Sequence, residues 1–187
     1  LLDAMDSPKV CRHLHIPLQS GDDDVLKRMN RPYTAGEYLE TISKVRLRVS
    51  GIGITTDVIV GFPGETESAF ENTRRVIEEA RFSRLHVFRY SARSRTPAAK
   101  MQDQVPADVK KQRAEELIEL GRESMRRFAL SLVGETLDVL VETQAKVVGH
   151  VSGFTDNYVE TMFPGGASLK GKIVPVRIVG EGLGIRD

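Results

Sequence analysis

The sequence predicts an α/β domain followed by a small all-β domain, and three observations support this division. Strand and helix patterns alternate between residues 14 and 90, as expected of parallel strands joined by crossover helices. One long helical pattern follows, from Pro106 to about Val133. From Gly134 onward, short valine-rich segments are separated by Gly, Asn and Asp turns. The predicted fold class is α/β plus all-β, with only a partial (β/α) barrel, because its strands are too few to close one.

Bulk composition limits the possible classes of function and location. The 187 residues carry 27 Lys and Arg against 26 Asp and Glu, so a nucleic-acid site would have to be a local patch. The single cysteine, Cys11, excludes an internal disulfide and favours a reducing compartment. The sequence shows no signal-peptide pattern and no apolar segment long enough to cross a bilayer. We therefore expect a cytoplasmic protein.

The segment TTDVIVGFPGET, at residues 55–66, is the most informative part of the α/β domain. Its alternating first half predicts a strand, and Gly61, Pro63 and Gly64 predict a tight turn. Thr66 is placed to cap the helix that follows. Glycines allow a ligand to approach the backbone closely, and a helix N-terminus offers free N–H groups. Many α/β folds have such turns for structural reasons alone, so both interpretations stay open.

The other elements of the first domain follow from periodicity and capping residues. Residues 13–19, HLHIPLQ, alternate as a strand, and Asp22 or Asp23 is expected to cap a short helix. The segment TAGE, at residues 34–37, is a capping box that begins a longer helix. Residues 83–90 form the third predicted strand, and an irregular basic loop follows it.

The long helix after Pro106 has a mixed character. Its expected buried stripe consists of Ala114, Leu117, Ile118, Met125, Phe128 and Leu132. Its basic residues, Arg113 among them, are interleaved with glutamates, which is typical of a solvated face.

The C-terminal segments predict a small barrel of five strands, or a near relative of one. Barrels of this size often bind single-stranded or looped RNA through a basic, aromatic face. The candidate RNA-binding residues are Lys146, His150, Phe154, Tyr158, Lys170, Lys172 and Arg177. Composition alone favours the alternative that Phe154, Tyr158 and Phe163 are core residues and the lysines ordinary surface.

Several motifs together resemble the radical-SAM tRNA methylthiotransferase family. They are HLHIPLQSG (13–21), KRMNR (27–31), TDVIVGFPGET (56–66), HVFRYSAR (86–93) and TPAAKM (96–101). The segment GHVSGFTDNYVE, at residues 149–160, resembles the TRAM domain that closes these enzymes and binds tRNA. Among the branches, the chain is most similar to the one that acts on N6-threonylcarbamoyladenosine beside the anticodon. The isopentenyladenosine branch is the nearest rival, and the ribosomal-protein branch is further away.

The resemblance implies a domain order and a chemistry. Residues 1–104 would be the C-terminal half of a radical-SAM barrel, residues 105–133 a connecting helix, and residues 134–187 the TRAM domain. Family members bind S-adenosylmethionine on a 4Fe–4S cluster and generate a 5′-deoxyadenosyl radical. A second cluster serves sulfur insertion, and another S-adenosylmethionine supplies the methyl group. The TRAM domain would hold the anticodon stem-loop of tRNA.

The resemblance also implies which residues contact the cofactor. These are Gln19, Ser20, Asp57, Ile59, Gly61, Gly64, Phe88 and Tyr90. Gln19 and Ser20 would contact its sugar or amino-acid part, and the strand and ring residues would enclose its adenine. His13 and His15 face the same side and are expected to be packed or supporting groups, without an acid–base function.

The chain departs from the family pattern G-x-I-x-G-x-x-E at two positions and from S-x-R-x-G-T-P-A at one. Asp57 stands at the first glycine and Glu65 comes one residue late, which weakens the transfer of its function. Arg95 replaces the glycine of the second pattern, so the shape of that loop is open.

The cluster motif C-x3-C-x2-C is absent, and Cys11 alone cannot hold a cluster, which needs several thiolates. We therefore expect a C-terminal part of a longer enzyme, partnered by an N-terminal half. Alone it would have no catalytic residue, metal or cofactor, and would be inactive. The alternative is a free-standing RNA-binding module. Because a half-barrel leaves strand edges unpaired, we also expect self-association.

Overall fold

The structure is a computed structural model that describes residues 2–186. The chain divides into two compact units. The α/β unit comprises His15–Leu47 and Ile54–Met125, and the remaining described residues form the barrel unit. Among residues 2–186, no helix is both long enough and apolar enough to span a membrane.

The helices are α1 (Asp23–Arg28), α2 (Ala35–Arg48), α3 (Glu67–Ala80) and α4 (Ala107–Ser131). The first four strands are β1 (His13–His15), β2 (Gly53–Val60), β3 (Arg84–Arg89) and β4 (Thr136–Gln144). The other four are β5 (His150–Thr155), β6 (Glu160–Pro164), β7 (Ile173–Gly180) and β8 (Leu183–Ile185). Short 3-10 helices lie at Leu2–Asp6, Pro97–Lys100 and Ala167–Leu169.

Three strands form one sheet in the order β1-β2-β3. β2 and β3 are parallel, with Thr55 opposite Arg84 and Val60 opposite Arg89. The helix α3 connects them, which confirms the predicted crossover. This open arrangement, together with the barrel described below, confirms the predicted fold class.

The first strand is shorter than the alternation of residues 13–19 predicts. The N–H of Ile16 donates to the Thr55 carbonyl (2.9 Å), but that of Leu18 donates to the Thr56 hydroxyl (2.8 Å). A side chain thus replaces a backbone acceptor, and the regular ladder ends. Pro17, between the two inward-facing N–H groups, has its nitrogen on the side away from β2.

Helix caps agree with the sequence. Asp22 accepts a hydrogen bond from the Val25 N–H (3.0 Å), and Thr66 accepts one from the Ala69 N–H (3.2 Å). The Thr34 N–H donates to the Glu37 carboxylate (2.8 Å), which completes the capping box. Each such cap stabilises its helix by about 1 kcal/mol.

The buried stripe of α4 is rotated from the predicted one. Leu117 is fully buried, but Ile118 is 41% and Met125 44% exposed, so these two predictions were wrong. Small residues occupy the inward positions instead. A Cβ on Gly121 would lie 3.0 Å from the Leu85 Cβ, and the Ser124 hydroxyl donates to the Phe82 carbonyl (2.6 Å). Ala114, Leu117 and Leu132 are buried as predicted, so the apolar residues mark only part of the inward face.

The barrel unit contains a closed barrel in the order β4-β5-β6-β8-β7, which confirms the predicted five strands. Its short closing strand, β8, was not among the valine-rich segments. The core contains Val139, Val141, Val151, Phe163 and Val176, each exposed by 1% or less. Phe163 is thus a core residue, whereas Tyr158 is 57% exposed.

Residues early in the chain pack within the same unit. The Arg12 guanidinium donates to both carboxylate oxygens of Asp156 (2.6 and 3.0 Å). The Asn157 amide donates to the Gly51 carbonyl (3.0 Å). The segments 2–14 and 48–53 are therefore part of the structure that surrounds the barrel.

Candidate functional site

The turn after β2 lies at the carboxyl edge of the sheet, where ligand sites of α/β folds form. Gly61 and Gly64 have φ angles of +72° and +83°, which favour glycine. The Gly61 N–H donates to the Glu65 carboxylate (2.8 Å). This side-chain hydrogen bond, rather than a ligand, satisfies the first amide of the turn.

Glu65 is held in turn by Arg113 of α4. The Arg113 guanidinium donates to the Glu65 carboxylate at 2.7 Å, and the two side chains are only 7% and 1% exposed. Burial raises the pKa of Glu65, while the Gly61 N–H and the Arg113 charge oppose that rise. The expectation that Arg113 belongs to a solvated face was wrong. Arg113 lies four residues before the buried Leu117, and this spacing is the signal that could have placed it inward.

Gln19 and Ser20 lie where the continuation of β1 meets the middle of β2. Gln19 has a φ of +68°, and its backbone N–H and carbonyl bond Asp57 and Ile59 of β2. Ser20 is fully buried, and its hydroxyl contacts that of Thr73 (3.3 Å). Both residues therefore have a structural function in this loop, and their cofactor contacts stay a prediction.

Tyr90 follows β3 at the same carboxyl edge. Its ring packs edge-on against Phe62, with 5.2 Å between centroids, and the Lys110 ammonium lies 5.2 Å from its ring centre. The stem of Lys110 also passes over Gly61, where an added Cβ would approach it to 2.3 Å. The buried Tyr90 hydroxyl has no hydrogen-bond partner among the described residues. It is a polar group available to a ligand.

One face of the sheet is closed and the other is open. Ile54, Val58 and Val60 are fully buried on the closed face. Asp57 is partly exposed on the open face, and Phe88 is 52% exposed. Because parallel partners point to the same side, Ile59 shares this face with Phe88 and Asp57 with His86. Four of the predicted contacts, Asp57, Ile59, Phe88 and Tyr90, thus lie along β2 and β3.

The predicted RNA-binding residues fall into two groups. The first consists of Lys146, His150, Lys170 and Lys172, which lie in the loop before β5, at the start of β5 and in the segment before β7. The loop before β5 and the segment before β7 meet, since the Gly165 N–H donates to the Gly149 carbonyl (2.9 Å). The three lysines are exposed. Val148, in the loop before β5, is 97% exposed.

The second group contains Phe154, Tyr158 and Arg177. Tyr158 stacks on His13 at a centroid distance of 4.3 Å and lies 6.0 Å from the Phe154 ring. Its φ of +65° is unusual for a non-glycine residue, and the residue is 57% exposed. Arg177 is exposed on β7, opposite Thr136. Lys172 directly precedes Ile173, which pairs with Leu140 on one side of β4 while Phe154 pairs with it on the other, so the two groups adjoin across β4.

Phe154 and Tyr158 line a groove of about 870 Å³ between residues 5–12 and the outer face of the barrel. Asp138 and Glu142 also line it, and neither makes an ion pair within residues 2–186. Carboxylates repel a phosphate backbone. The surface that carries Lys146, Lys170 and Lys172 is therefore more suitable for RNA than this groove.

The chain offers few ligands to a metal ion. No group of three or more His, Cys, Asp or Glu side chains in the described part of the chain has a metal-binding arrangement. Cys11 is exposed, and a single thiolate does not fit an iron–sulfur cluster.

Comparison with known proteins adds independent observations. The profile of the radical SAM superfamily matches residues 1–77, and that of the TRAM domain matches residues 130–179. Coproporphyrinogen III oxidase (HemN) from Escherichia coli, a radical SAM enzyme, superposes with a TM-score of 0.55 at 22% identity. That match covers 66% of this chain and 29% of the other, and it supports the fold alone.

Two relatives have names that refer to different modified adenosines. The threonylcarbamoyladenosine tRNA methylthiotransferase MtaB of Bacillus subtilis (strain 168) is 42% identical over 97% of this chain. The tRNA-2-methylthio-N(6)-dimethylallyladenosine synthase of Desulfitobacterium hafniense (strain Y51) is 42% identical over 90% of it. The chain covers 41% and 38% of these proteins, about two fifths of their length. Equal identity does not separate the two substrates. The chain is therefore a homologue of the tRNA methylthiotransferases, and it carries a radical SAM superfamily segment followed by a TRAM domain.

Proposed function

We propose that this chain is the C-terminal part of a cytoplasmic tRNA methylthiotransferase that acts on N6-threonylcarbamoyladenosine beside the anticodon. The 42% identity to MtaB over 97% of the chain carries the methylthiotransferase part of the proposal. The choice of substrate rests on the similarity of TTDVIVGFPGET (55–66) and LHVFRYS (85–91) to the threonylcarbamoyladenosine branch. The activity belongs to the longer protein, and the chain alone is expected to be inactive.

In this proposal, the carboxyl edge of the α/β unit binds S-adenosylmethionine. Ile59 and Phe88 offer apolar walls for its adenine, and the unpartnered Tyr90 hydroxyl offers a hydrogen bond. Glu65 and Arg113 hold the Gly61 turn in place without using a ligand. When bound, S-adenosylmethionine supplies the radical chemistry and the methyl group. The single cysteine does not fit a cluster, so cluster ligands would come from another part of the protein.

The barrel unit would bind the anticodon stem-loop. Lys146, Lys170 and Lys172 offer a positive charge in the loop before β5 and the segment before β7, with His150 at the start of β5. Lysine contacts to phosphate release counterions, so this binding should weaken steeply with salt.

The test begins with the coding sequence upstream of the Leu1 codon. The complete gene is then expressed in a strain that lacks its own tRNA methylthiotransferases, and tRNA nucleosides are analysed by mass spectrometry. We expect 2-methylthio-N6-threonylcarbamoyladenosine. Absence of any methylthio nucleoside would overturn the proposal.

Two other functions have specific support. Several relatives carry the name of the dimethylallyladenosine enzyme at 41% to 43% identity. Formation of 2-methylthio-N6-dimethylallyladenosine in the same assay would establish that branch. The single cysteine favours a non-catalytic RNA-binding module, which would bind tRNA in a salt-sensitive manner without modifying it.

A further inference from the structure

The open face of the three-stranded sheet has an ordered chemical character. Parallel pairing forms three rows on this face: Thr55 with Arg84, Asp57 with His86, and Ile59 with Phe88. The first two rows are polar or charged, and the third, nearest the carboxyl edge, is apolar. A ligand that extends from the carboxyl edge along this face would therefore place an apolar part on the third row and a charged end on the first two.

His15 lies between Thr55 and Asp57 on this face. One ring nitrogen, Nδ1, lies 2.9 Å from the Thr55 hydroxyl, and the other, Nε2, lies 3.3 Å from an Asp57 carboxylate oxygen. Both ring nitrogens are thus engaged, and the carboxylate of Asp57 has a histidine partner. The His86 ring lies beside this pair, with 6.0 Å between the imidazole centroids.

Arg84 and His86 remain as the hydrogen-bond donors on this face. Within residues 2–186, neither makes an ion pair or a side-chain hydrogen bond. They are two residues apart on β3, so their side chains point to the same side. An arginine beside an imidazole is a suitable receptor for a carboxylate, since charge-assisted hydrogen bonds are the strong ones.

The position of this receptor relative to the carboxyl edge is suited to a modified adenosine. Asp57, level with His86, is four residues before Gly61, which corresponds to about 13 Å along a strand. A substrate adenine whose C2 faces the carboxyl edge would direct its N6 substituent away from that edge, toward the polar rows. A threonylcarbamoyl group ends in a carboxylate, whereas a dimethylallyl group is an uncharged hydrocarbon and would leave both donors unpaired.

We propose that Arg84 and His86 bind the carboxylate of the N6-threonylcarbamoyl group and so select this substrate over the dimethylallyl one. The inference rests on the proposed function, which supplies the substrate. The His15–Asp57 pair supports the receptor by keeping the Asp57 carboxylate occupied.

The experiment uses the protein from the complete gene and measures its affinity for anticodon stem-loops by fluorescence anisotropy. Three stem-loops carry threonylcarbamoyladenosine, its methyl ester, or dimethylallyladenosine. Because the ester removes one partner of a charged hydrogen bond, we expect it to bind about 10- to 100-fold more weakly than the acid. The dimethylallyl stem-loop should bind no better than the ester.

The variants are Arg84→Gln and His86→Asn, with Arg89→Gln as the matched control. Arg89 is exposed on the same strand, but it is paired with Val60 and so lies on the opposite face. Arg84→Gln should weaken binding of the acid and leave binding of the ester unchanged, which abolishes the discrimination. Arg84 is also exposed, so this variant should fold normally. Arg89→Gln should discriminate like the wild type.

The outcomes separate the possible failures. Equal wild-type affinity for acid and ester, or an equal loss of both in the variants, would overturn the inference. The carboxylate of S-adenosylmethionine is another source of the same chemistry. If Arg84→Gln weakens S-adenosylmethionine binding in calorimetry while the acid-to-ester ratio is unchanged, the inference is wrong. If wild-type enzyme modifies only the dimethylallyl stem-loop, the proposed function itself fails.

Discussion

The two units differ in whether their interiors contain charged side chains. The α/β unit buries the carboxylate of Glu65 and the guanidinium of Arg113, which are 5% and 5% exposed as residues. In the barrel unit, the buried polar residues among those described, such as Asn157 and Thr161, are uncharged. The α/β unit therefore builds its edge with an internal ion pair, whereas the barrel has only its outer surface for charged contacts.

This difference has consequences for mutation. A charged interior depends on its partners, because a buried charge without one is costly. An apolar interior depends on volume and shape. The four predictions below test this contrast, in order of decreasing effect.

The largest effect is expected from Arg113→Met in the α/β unit. Removal of the guanidinium leaves the buried Glu65 carboxylate without its partner, at a cost of about 3–5 kcal/mol in the free energy of unfolding. Urea unfolding at neutral pH measures it. The control is Arg122→Met, which removes an exposed pair with Glu119 and should leave stability nearly unchanged. A small cost for Arg113→Met would show that the pair is dispensable.

A smaller effect is expected from Val176→Ala in the barrel core. Val176 is fully buried, and loss of its methyl groups should cost about 2 kcal/mol. The same unfolding assay measures it, with Val148→Ala as the control, because Val148 is 97% exposed. Equal costs for the two variants would contradict the assigned core.

The affinity for tRNA should change when charged residues on the outer surface of the barrel are replaced. The double variant Lys146→Gln/Lys172→Gln should weaken tRNA binding about tenfold and reduce the salt slope by about one for each lysine. Filter binding over a range of salt concentrations measures both. Lys9→Gln, in the groove that Asp138 and Glu142 line, should change neither quantity. A matching loss in that variant would move the RNA surface to the groove.

The smallest effect concerns pH and the exposed capping box of α2. Hydrogen bonds from the backbone and side chain of Thr34 lower the pKa of Glu37. A lowered pKa stabilises the fold above the usual value for glutamate, and this contribution is lost as the pH falls through the lowered value. Glu37→Ala should therefore be slightly less stable than wild type at pH 7 and equal to it in strong acid. A constant difference across this range would exclude ionisation as the cause.

Local patterns predicted the α/β unit well because its elements carry their own signals. Alternation predicted β2, and the glycines at 61 and 64 predicted the turn. The stripe of α4 was misplaced because Gly121 and Ser124 are inward for tertiary reasons that hydrophobicity does not record. The partnership of Glu65 with a residue 48 positions away has no local signal at all.

The candidate sites were predictable only as sets of residue types. Sequence alone could not show that Lys172 and Phe154 flank the same part of β4, because this depends on strand register. The exposure of Tyr158 and its positive φ have no signal in the residue type. No sequence pattern marks Arg84 as a site residue, because its place on the same face as Asp57 and His86 follows only from strand register.

The proline in the continuation of β1 has a consequence for colloidal behaviour. β1 is an outer strand of the sheet that residues 2–186 form, and Pro17, just after it, removes a backbone donor from its outward side. An incoming strand from another molecule would find no hydrogen-bond donor there, so amyloid-like growth along this edge is discouraged. Replacing Pro17 with valine should restore that donor and shorten the time that a concentrated solution stays clear.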